Sequence, residues 1–336
     1  MNETKKRILI TRTDRLGDVV LSTAIPREIK KTYPDSFVAV LVRNYTVPVY
    51  ENNPYVDAIL TDDFTEETRS KTFWQKIKEI KQYNFTDALM LLPSERLTYM
   101  LFWAGIKNRI GVSRKLYQFL TFTKYVMRNF ETLRSEADYC MDLAKKIGVE
   151  SDNISSEIFL TNEEIKESAQ LKEKWSAGNK KIVGIHSSSG NSAPNMPAEE
   201  YRNLAEKLIE TGRYKVIITD QEVPDELQGI EDAEYINLPL RKLFVNIKAF
   251  DLLVSASTGP MHAAGALTVN TLSVFCTLNS CHPDLWGPKG NHAFFVLPDK
   301  EFCRVNCSDN PHYCSFNKES GINAEVLFRK INELKL

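Results

Sequence analysis

Residues 252–267 read LLVSASTGPMHAAGAL, and this stretch indicates the fold. An apolar run is followed by hydroxyl residues, a Gly-Pro pair and small helix-forming residues, which is the order of a buried strand, a turn and a helix. The wider segment Leu252 to Pro283 contains no Lys, Arg, Asp or Glu. It is long enough to span a bilayer, but its many Ser, Thr and Asn residues favour strand, turn, helix and second strand.

The same alternation of apolar strand and helix runs along the rest of the chain. The predicted strands are residues 7–12, 37–42, 58–61, 88–92, 109–112, 181–186, 215–219, 235–238, 252–255, 272–275 and 294–297. The predicted helices include residues 21–33, 73–82, 198–211, 261–267 and 324–334. Continuous apolar strands separated by helices predict parallel sheets that are covered on both faces.

The pattern starts afresh at Lys181, after a charged helical connector from Glu163 to Lys174. A length of 336 residues suits two domains, each with its own core. We therefore predict an α/β protein with two similar domains, residues 1–160 and 161–336, and a hinge near residues 155–180. In open parallel sheets ligands bind beyond the carboxyl ends of the strands, so the loops after the strands are the candidate sites.

Charge is balanced in total but not by region. The chain has 43 Lys and Arg against 44 Asp and Glu, and 26% charged residues are typical of a globular protein rather than a disordered, collagenous or coiled-coil one. Residues 1–160 carry a net charge of +3 and the remainder −4. The total therefore excludes only a uniformly basic protein.

Two features bear on location and metal content. Residues 1–12 hold only a short apolar run between charges, which predicts neither a signal peptide nor a membrane span, and so a cytoplasmic protein. Six Cys without a secretory signal predict reduced thiols. Cys303, Cys307 and Cys314 form a cluster with wider spacing than the C-x2-C of zinc sites, so a metal site and a thiol-containing loop both stay open.

The loop after the first strand reads Arg12-Thr13-Asp14-Arg15-Leu16-Gly17-Asp18. It is neither G-x-G-x-x-G nor a P-loop, which disfavours a dinucleotide dehydrogenase and a nucleoside triphosphatase. Gly17 suits a tight turn, and Asp18 is expected at a helix N-terminus. Asp18 is either a helix cap or a general base, and one residue can serve as both.

Two loops of the second half suit an anion. Residues 186–197, HSSSGNSAPNMP, are rich in hydroxyls, and residues 255–266, SASTGPMHAAGA, place hydroxyls and a glycine before a helix. Free backbone amides and the helix dipole can hold a phosphate there without Lys or Arg. The small residues of the second loop predict close packing of its helix on the sheet. His262 on its own is more typical of packing than of a ligand.

Together these loops resemble glycosyltransferase family 9, the ADP-heptose:lipopolysaccharide heptosyltransferases and their relatives. The resemblance rests on R-x-x-x-x-G-D-V after strand one, H-S-x-x-x-x-S-A-x-x-x-P and S-T-G-P-M-H-x-A-A, and runs from about Lys6 to about Pro298. It implies the GT-B fold, two Rossmann-like domains facing across a cleft. The front domain would bind the acceptor and the back domain a nucleotide-sugar.

The resemblance also implies roles for individual residues. Asp18 would deprotonate the acceptor hydroxyl, and no metal or other cofactor is expected. The resemblance places Ser187, Ser188, Thr258, Gly259 and His262 at the donor. Asn195, Ser257, Pro260 and Met261 in the same loops are further candidates for donor binding, and Glu222, after the second strand of the back domain, could accept from the ribose hydroxyls. The basic residues expected on the acceptor side, from their own positions, are Arg12 and Arg15 beside Asp18 and Lys107, Arg114 and Lys115 of the front domain. Arg12 or Arg15 would also offset the charge of the diphosphate.

The sequence departs from the family pattern at three positions. Pro194 stands where a basic residue usually meets the donor, Met196 where a Trp is usual, and Ser257 where an Asp is common. These departures leave the sugar and the nucleotide open.

The acid-free stretch Leu97 to Phe130 combines six basic residues with seven aromatic rings from Tyr99 to Tyr125. Such a pattern suits a membrane surface or a phosphorylated glycolipid, or it is a solvated face over core aromatics. No nucleic-acid partner is expected. The sequence thus predicts an inverting transferase that moves heptose, with ADP-heptose as donor, onto a lipopolysaccharide-type acceptor at the inner face of the inner membrane. The alternatives are a GT-B nucleotide-sugar epimerase and a glycan-binding protein with a decayed donor site.

Overall fold

A computed structural model of the chain describes residues 5–63, 72–129, 132–191, 193–307 and 314–334. The chain divides into two compact units, Met1–Phe159 and Leu160–Leu336. The division lies beside the boundary expected from the sequence. Each unit is an α/β unit built on one parallel sheet.

The strands of the first unit lie within a residue or two of the predicted ones, with one addition. They are β1 Arg7–Thr11, β2 Phe37–Val42, β3 Ala58–Thr61, β4 Asp87–Met90, β5 Asn108–Val112 and β6 Lys124–Val126. The helices are α1 Leu16–Leu21, α2 Ala24–Thr32, α3 Phe73–Gln82, α4 Glu95–Trp103, α5 Leu116–Leu120 and α6 Glu136–Lys145. A 3-10 helix covers Asn44–Val49.

The first sheet has the order β3-β2-β1-β4-β5-β6, with every pair parallel. Apolar residues of the central strands are fully buried, as Leu9, Ala39 and Ala88 show. One face packs on α3 and α4 through Ile80 and Met100. Burial on both faces explains why the central strands read as continuous apolar runs.

The second unit repeats this plan. Its strands are β7 Lys181–His186, β8 Tyr214–Ile218, β9 Glu234–Tyr235, β10 Leu252–Ala256, β11 Asn270–Val274 and β12 Ala293–Val296. Its helices are α7 Asn162–Trp175, α8 Ala198–Glu210, α9 Leu240–Lys248, α10 Gly259–Ala266, α11 Pro283–Trp286, α12 Lys300–Asn306 and α13 Ala324–Glu333. Single 3-10 turns cover Asp225–Leu227, Asn279–Cys281 and Lys318–Ser320.

The second sheet has the parallel order β12-β11-β10-β7-β8-β9. Its core includes Val183, Val216 and Val254 from the strands, packed on Leu204 of α8 and Leu327 of α13. The uncharged stretch that resembled a membrane span is therefore strand, helix and strand inside this unit. None of the helices in the described part of the chain has the length and apolarity needed to cross a bilayer.

The predicted helix 21–33 is wrong in one respect, because the structure has two helices there. α1 ends at Leu21, where the hydroxyls of Ser22 and Thr23 donate to the carbonyls of Val19 and Val20 at 2.7 and 2.8 Å. Pro26 lies in the first turn of α2, a position where its missing N–H costs nothing, whereas a continuous helix would lose a hydrogen bond there.

The strand missed by the sequence reading is β6. It has three residues, and Lys124 and Tyr125 are exposed at the edge of the sheet. A short, exposed edge strand lacks the apolar run that marks the central strands.

Candidate active site

The order of strands reverses once in each sheet. In the first sheet β1 lies between β2 and β4, and in the second β7 lies between β8 and β10. Loops that follow two strands at such a reversal diverge and leave a crevice at the carboxyl edge of the sheet. The loop with Asp18 follows β1, and the two anion-type loops follow β7 and β10.

Arg12 is the centre of the first of these sites. Arg12 is only 2% exposed, and its guanidinium lies 2.6 Å from Asp18 Oδ1 and 2.9 Å from Asp14 Oδ1. The same group donates to Glu136 Oε1 at 2.9 Å and to the carbonyl of Leu91 at 3.1 Å. A guanidinium has five N–H donors in one plane, so it can hold several carboxylates in fixed positions.

Glu136 joins this group from α6, far away in the chain. Its side chain is 1% exposed, and its two oxygens accept from Arg12 and from Arg128, each at 2.9 Å. Arg128 also donates to the carbonyl of Leu91 at 3.1 Å. Both guanidinium groups thus share the buried Glu136 carboxylate and the Leu91 carbonyl in the loop after β4, and these contacts fix Arg12.

Asp14 is the second carboxylate of the β1 loop. Burial raises its pKa to about 6, although the Arg12 charge lowers it, and the Asp18 charge adds to the rise. Three carboxylates face two guanidinium groups here, so the fully ionised cluster has an excess negative charge. A proton that arrives at the cluster is therefore stabilised.

Asp18 is not a helix cap, so that interpretation is wrong. The N-cap of α1 is Arg15, and Asp18 lies in the first helical turn with its Oδ1 on Arg12. Gly17 also lies inside α1 rather than in a tight turn before it. Oδ2 of Asp18 accepts no hydrogen bond from any described residue, and the side chain is 18% exposed. This carboxylate is oriented by one oxygen and has the other available for an incoming hydroxyl.

The predicted acceptor-side cations do not all come together. Arg15 is exposed beside Asp18, and Arg114 and Lys115 are exposed directly after β5, at the same edge of the sheet. Lys107 precedes β5, so it lies at the opposite edge from Asp18. Arg12 is buried among carboxylates rather than presented to a ligand. Its contact with an acceptor stays a prediction, while its position makes it the residue that orients Asp18.

In the second unit the buried Asp220 organises the loop after β7. Its Oδ2 accepts from the amide and the hydroxyl of Ser187, both at 3.0 Å, and its Oδ1 from the Ser188 amide at 2.8 Å. His186 Nδ1 forms a hydrogen bond with Thr219 Oγ1 at 3.0 Å. Burial lowers the pKa of the His186 imidazole. Both serine amides are therefore engaged inside the protein. Ser188 is exposed as a residue, and its hydroxyl lies 3.2 Å from His186 Nε2.

Asn195 closes the same loop. Its side-chain NH2 donates to the Ser187 carbonyl at 2.5 Å, and its Oδ1 accepts from the Tyr201 hydroxyl at 2.7 Å. These bonds fix the loop from inside, and a direct donor contact by Asn195 remains a prediction. Ser188, Ser189, Gly190, Asn195 and Cys314 contribute to the lining of a pocket of about 420 Å³.

The N-terminus of α10 is the best candidate for a phosphate site. The N-cap is Thr258, whose side chain makes no capping hydrogen bond, and Pro260 in the first turn has no N–H. The first-turn amides of Gly259 and Met261 have no acceptor within the helix, as at every helix start. No charged residue occurs between Leu252 and Pro283, so an anion here would meet amides and a helix dipole.

His262 and Gly265 show how this helix is held. His262 is 4% exposed within α10. The helix lies against β10 and β11, with Ala263 and Ala264 fully buried, as predicted for these small residues. At Gly265 the close packing is against the loop after α11, because a Cβ there would lie 2.7 Å from Cβ of Pro288. Among the other predicted donor residues, Ser257 is half-buried beside Thr258, and Glu222 is exposed after β8.

The cysteines show no metal geometry. Cys303 and Cys314 are half-buried, and Cys307 is exposed at the end of α12. Across the described ranges, no group of three or more His, Cys, Asp or Glu side chains is arranged to hold a metal ion. His312, two residues before Cys314 in the sequence and so a further candidate ligand, lies outside the described residues.

The family model of glycosyltransferase family 9 (heptosyltransferase) matches residues 73–311. The chain belongs to this family. The match covers well over half of the sequence, including both anion-type loops and the Glu136 region. This family 9 protein is therefore a glycosyltransferase.

Two solved structures and one curated relative agree with this membership. Lipooligosaccharide heptosyltransferase 2 of Haemophilus influenzae is 24% identical over 362 residues, which covers 97% of this chain and 99% of the relative. The crystal structure of a family 9 glycosyl transferase from Veillonella parvula has a TM-score of 0.77 at 20% identity, over 99% and 98% of the two chains. Escherichia coli ADP-heptose LPS heptosyltransferase II has a TM-score of 0.75 at 17% identity, over 98% of each chain. These likenesses show the GT-B fold.

The sequence did not point to four residues of the family 9 site. Asp14 lies in the quoted loop, and its spacing of four from Asp18 was an available signal. Glu136 and Arg128 lie more than a hundred residues from Arg12, in a segment with no motif. Asp220, just after β8, carries no sequence signal of burial, whereas the structure buries it completely.

Proposed function

We propose that this family 9 transferase is an inverting heptosyltransferase. Its donor would be ADP-heptose and its acceptor a lipopolysaccharide core or similar glycolipid, at the cytoplasmic face of the inner membrane. The observation that carries the proposal is the Asp18 carboxylate, held by Arg12 through one oxygen and open at the other. The E. coli relative is described by both ADP-heptose and lipopolysaccharide, which supports this donor and this acceptor class.

In the proposed reaction the acceptor hydroxyl oxygen attacks the anomeric carbon of the donor from the side opposite the diphosphate. Asp18 Oδ2 takes the hydroxyl proton as the new C–O bond forms. The bond from the anomeric carbon to the diphosphate oxygen breaks, and its electron pair leaves with ADP. Attack opposite the leaving group inverts the configuration.

The two units divide this work. Arg12 orients Asp18 and is itself fixed by Glu136, so the base needs little rearrangement during proton transfer. The amides of Gly259 and Met261 and the dipole of α10 would stabilise the negative charge that develops on the diphosphate. Arg15, exposed near Asp18, would contact the acceptor.

The direct test is Asp18→Asn, which keeps the shape of the side chain and removes its basicity. We expect kcat for transfer from ADP-heptose to fall by about 10² to 10⁴, the range typical of a lost general base, with ADP affinity unchanged. The matched control is Asp35→Asn, an exposed carboxylate of the same unit. Full activity of the Asp18 variant would contradict the proposed base.

Product analysis with a panel of nucleotide-sugars tests the reaction and the donor. Heptose transfer with release of ADP is the expected result. Conversion of the donor sugar without any acceptor would instead indicate an epimerase. Glycan binding without consumption of any donor would indicate a decayed donor site, and either outcome would overturn the proposal.

A further inference from the structure

The segment from Arg114 to Met127, here called the 114–127 surface, exposes an unusual amount of apolar area. Phe119 is 76% exposed and Phe122 83%. The large apolar side chains exposed in this segment are Leu116, Phe119, Leu120, Phe122, Tyr125 and Met127. Soluble proteins rarely concentrate such side chains on one short stretch unless the stretch is an interaction site.

The short helix α5 in this segment has its polar side turned inward. Gln118 is 2% exposed; its side chain accepts from the Lys115 amide at 3.2 Å and donates to the Val112 carbonyl at 3.0 Å. The buried hydroxyl of Thr121 donates to the Tyr117 carbonyl at 2.8 Å. A surface helix normally presents its polar side to water, so this arrangement is the reverse of the ordinary one.

The backbone fixes the most exposed ring in place. Phe122 has φ of +53°, which is rare for a bulky residue. The turn is held by a bond from the Thr123 amide to the Gln118 carbonyl at 2.8 Å. The buried guanidinium of Arg109 donates to the carbonyls of both Ile106 and Thr121, which ties the turn to the residues before β5. A strained backbone held by several bonds is a pointer to function.

Cations surround the apolar side chains. Arg114, Lys115 and Lys124 are exposed, and none of them forms an ion pair with another described residue. Residues 97–130 contain no Asp or Glu. Two of the six basic residues of this stretch add no exposed charge to the surface. Arg109 is buried, and Arg128 is paired with Glu136.

This combination fits a bilayer better than a nucleic acid. Aliphatic side chains such as Leu116, Leu120 and Met127 contribute little binding free energy against bases or phosphates. Transfer of the same side chains from water to acyl chains is favourable. Exposed rings and basic side chains beside them suit the level of anionic headgroups. The surface begins at the carboxyl edge of β5, which is two strands from β1, about 10 Å at the usual strand spacing.

We propose that the 114–127 surface docks the protein on an anionic phospholipid bilayer. Leu116, Phe119 and Phe122 would enter the boundary between headgroups and acyl chains, and Arg114, Lys115 and Lys124 would contact headgroup phosphates. The proposal rests on the proposed function for the nature of the acceptor, which would lie in the same bilayer. Bilayer binding itself is measured without donor or acceptor, so the two proposals can fail separately.

The test is sedimentation of the full-length protein with vesicles of phosphatidylcholine alone and of phosphatidylcholine mixed with phosphatidylglycerol. We expect binding to the mixed vesicles. Phe119→Ser with Phe122→Ser should weaken it by about tenfold or more. Arg114→Ala, Lys115→Ala and Lys124→Ala together should weaken it by about fivefold for each cation removed. The matched control is Ile165→Ser with Val305→Ser, two exposed apolar residues of the other unit, with binding unchanged.

A second readout separates docking from misfolding. The Phe119 and Phe122 double variant should transfer heptose to a water-soluble core sugar at the wild-type rate, but lose activity on acceptor embedded in vesicles. Equal binding of wild type and double variant would overturn the proposal. A wild-type protein that binds neither kind of vesicle would also overturn it. That result includes the case in which Phe119 and Phe122 form a dimer interface in solution.

Discussion

Arg12 shows how one residue can connect distant parts of a site. It lies at the end of β1, and its guanidinium reaches two carboxylates of its own loop and one on α6. Breaking a buried ion pair from one side leaves an uncompensated charge, which is strongly unfavourable. The arrangement therefore fixes Asp18 firmly, while burial in the same cluster raises the pKa of Asp14 against the lowering effect of the Arg12 charge.

The stability of the protein should depend on the charge of Asp14. Its pKa rises from 3.8 to about 6 on folding, so the folded state binds the proton more tightly than the unfolded state. The stabilisation that protonated Asp14 contributes to the folded state is fully present below pH 3.8 and is lost as pH rises through about 6. A shift of this size corresponds to about 3 kcal/mol.

Asp14→Asn removes this titration. We expect its free energy of unfolding, relative to wild type, to increase between about pH 4 and pH 7.5 by up to about 3 kcal/mol, as measured by urea unfolding at both pH values. Asp35→Asn, an exposed carboxylate, is the control and should show no such change. A difference between Asp14→Asn and wild type that is the same at both pH values would contradict the raised pKa.

At the scale of elements, the position of α10 depends on Gly265, the residue that faces the Pro288 loop. The Pro288 loop cannot easily move away from Gly265, because Asn291 donates from it to Val269 and Thr271 at 2.6 and 3.1 Å. The helix therefore has a fixed position relative to β11. Its N-terminus, where we expect the diphosphate, is positioned by contacts at its far end.

Gly265→Ala should disturb that position. The new methyl group would lie 2.7 Å from Pro288, closer than carbon atoms can approach, so helix or loop must shift. We expect a loss of about 1–3 kcal/mol in stability, typical of overpacking, together with weaker ADP binding by calorimetry. Ala169→Ser, on the exposed side of α7, is the control. Unchanged ADP affinity in a destabilised Gly265 variant would separate the packing of α10 from the donor site.

At the scale of the whole molecule, two units of the same architecture differ in their charges. The first unit presents carboxylates held by arginine and an apolar surface with unpaired cations. The second has an uncharged helix N-terminus directly after β10. Proton transfer and diphosphate binding favour opposite local charges, so their division between two units is physically reasonable.

ADP should therefore act on the second unit through its diphosphate. We expect hydrogen exchange in peptides covering residues 257–263 of the full-length protein to slow by about tenfold or more at saturating ADP. Adenosine, which lacks phosphates, is the matched control and should leave these amides unprotected. Protection of the same amides by adenosine, or none with ADP, would contradict a diphosphate site at α10.

The sequence alone determined the architecture and the loops in which the candidate sites lie. Apolar runs such as Phe37–Val42 and Lys181–His186 predicted strands at their observed bounds, because burial on both faces requires a continuous apolar run. The loop motifs predicted the family, and the carboxyl edges of the strands predicted where Asp18 and Thr258 would lie. These features depend on neighbours in sequence, so a linear pattern records them.

Only the tertiary structure decided which polar groups meet. Glu136 reaches Arg12 across 124 positions, and Asp220 reaches Ser187 across 33. The tertiary structure also decided the orientation of α5. Its polar Gln118 is buried and its apolar Phe119 is exposed, the reverse of the usual amphipathic arrangement. Contacts between distant segments depend on strand order and on which face each helix covers, and neither quantity has a local signature in the sequence.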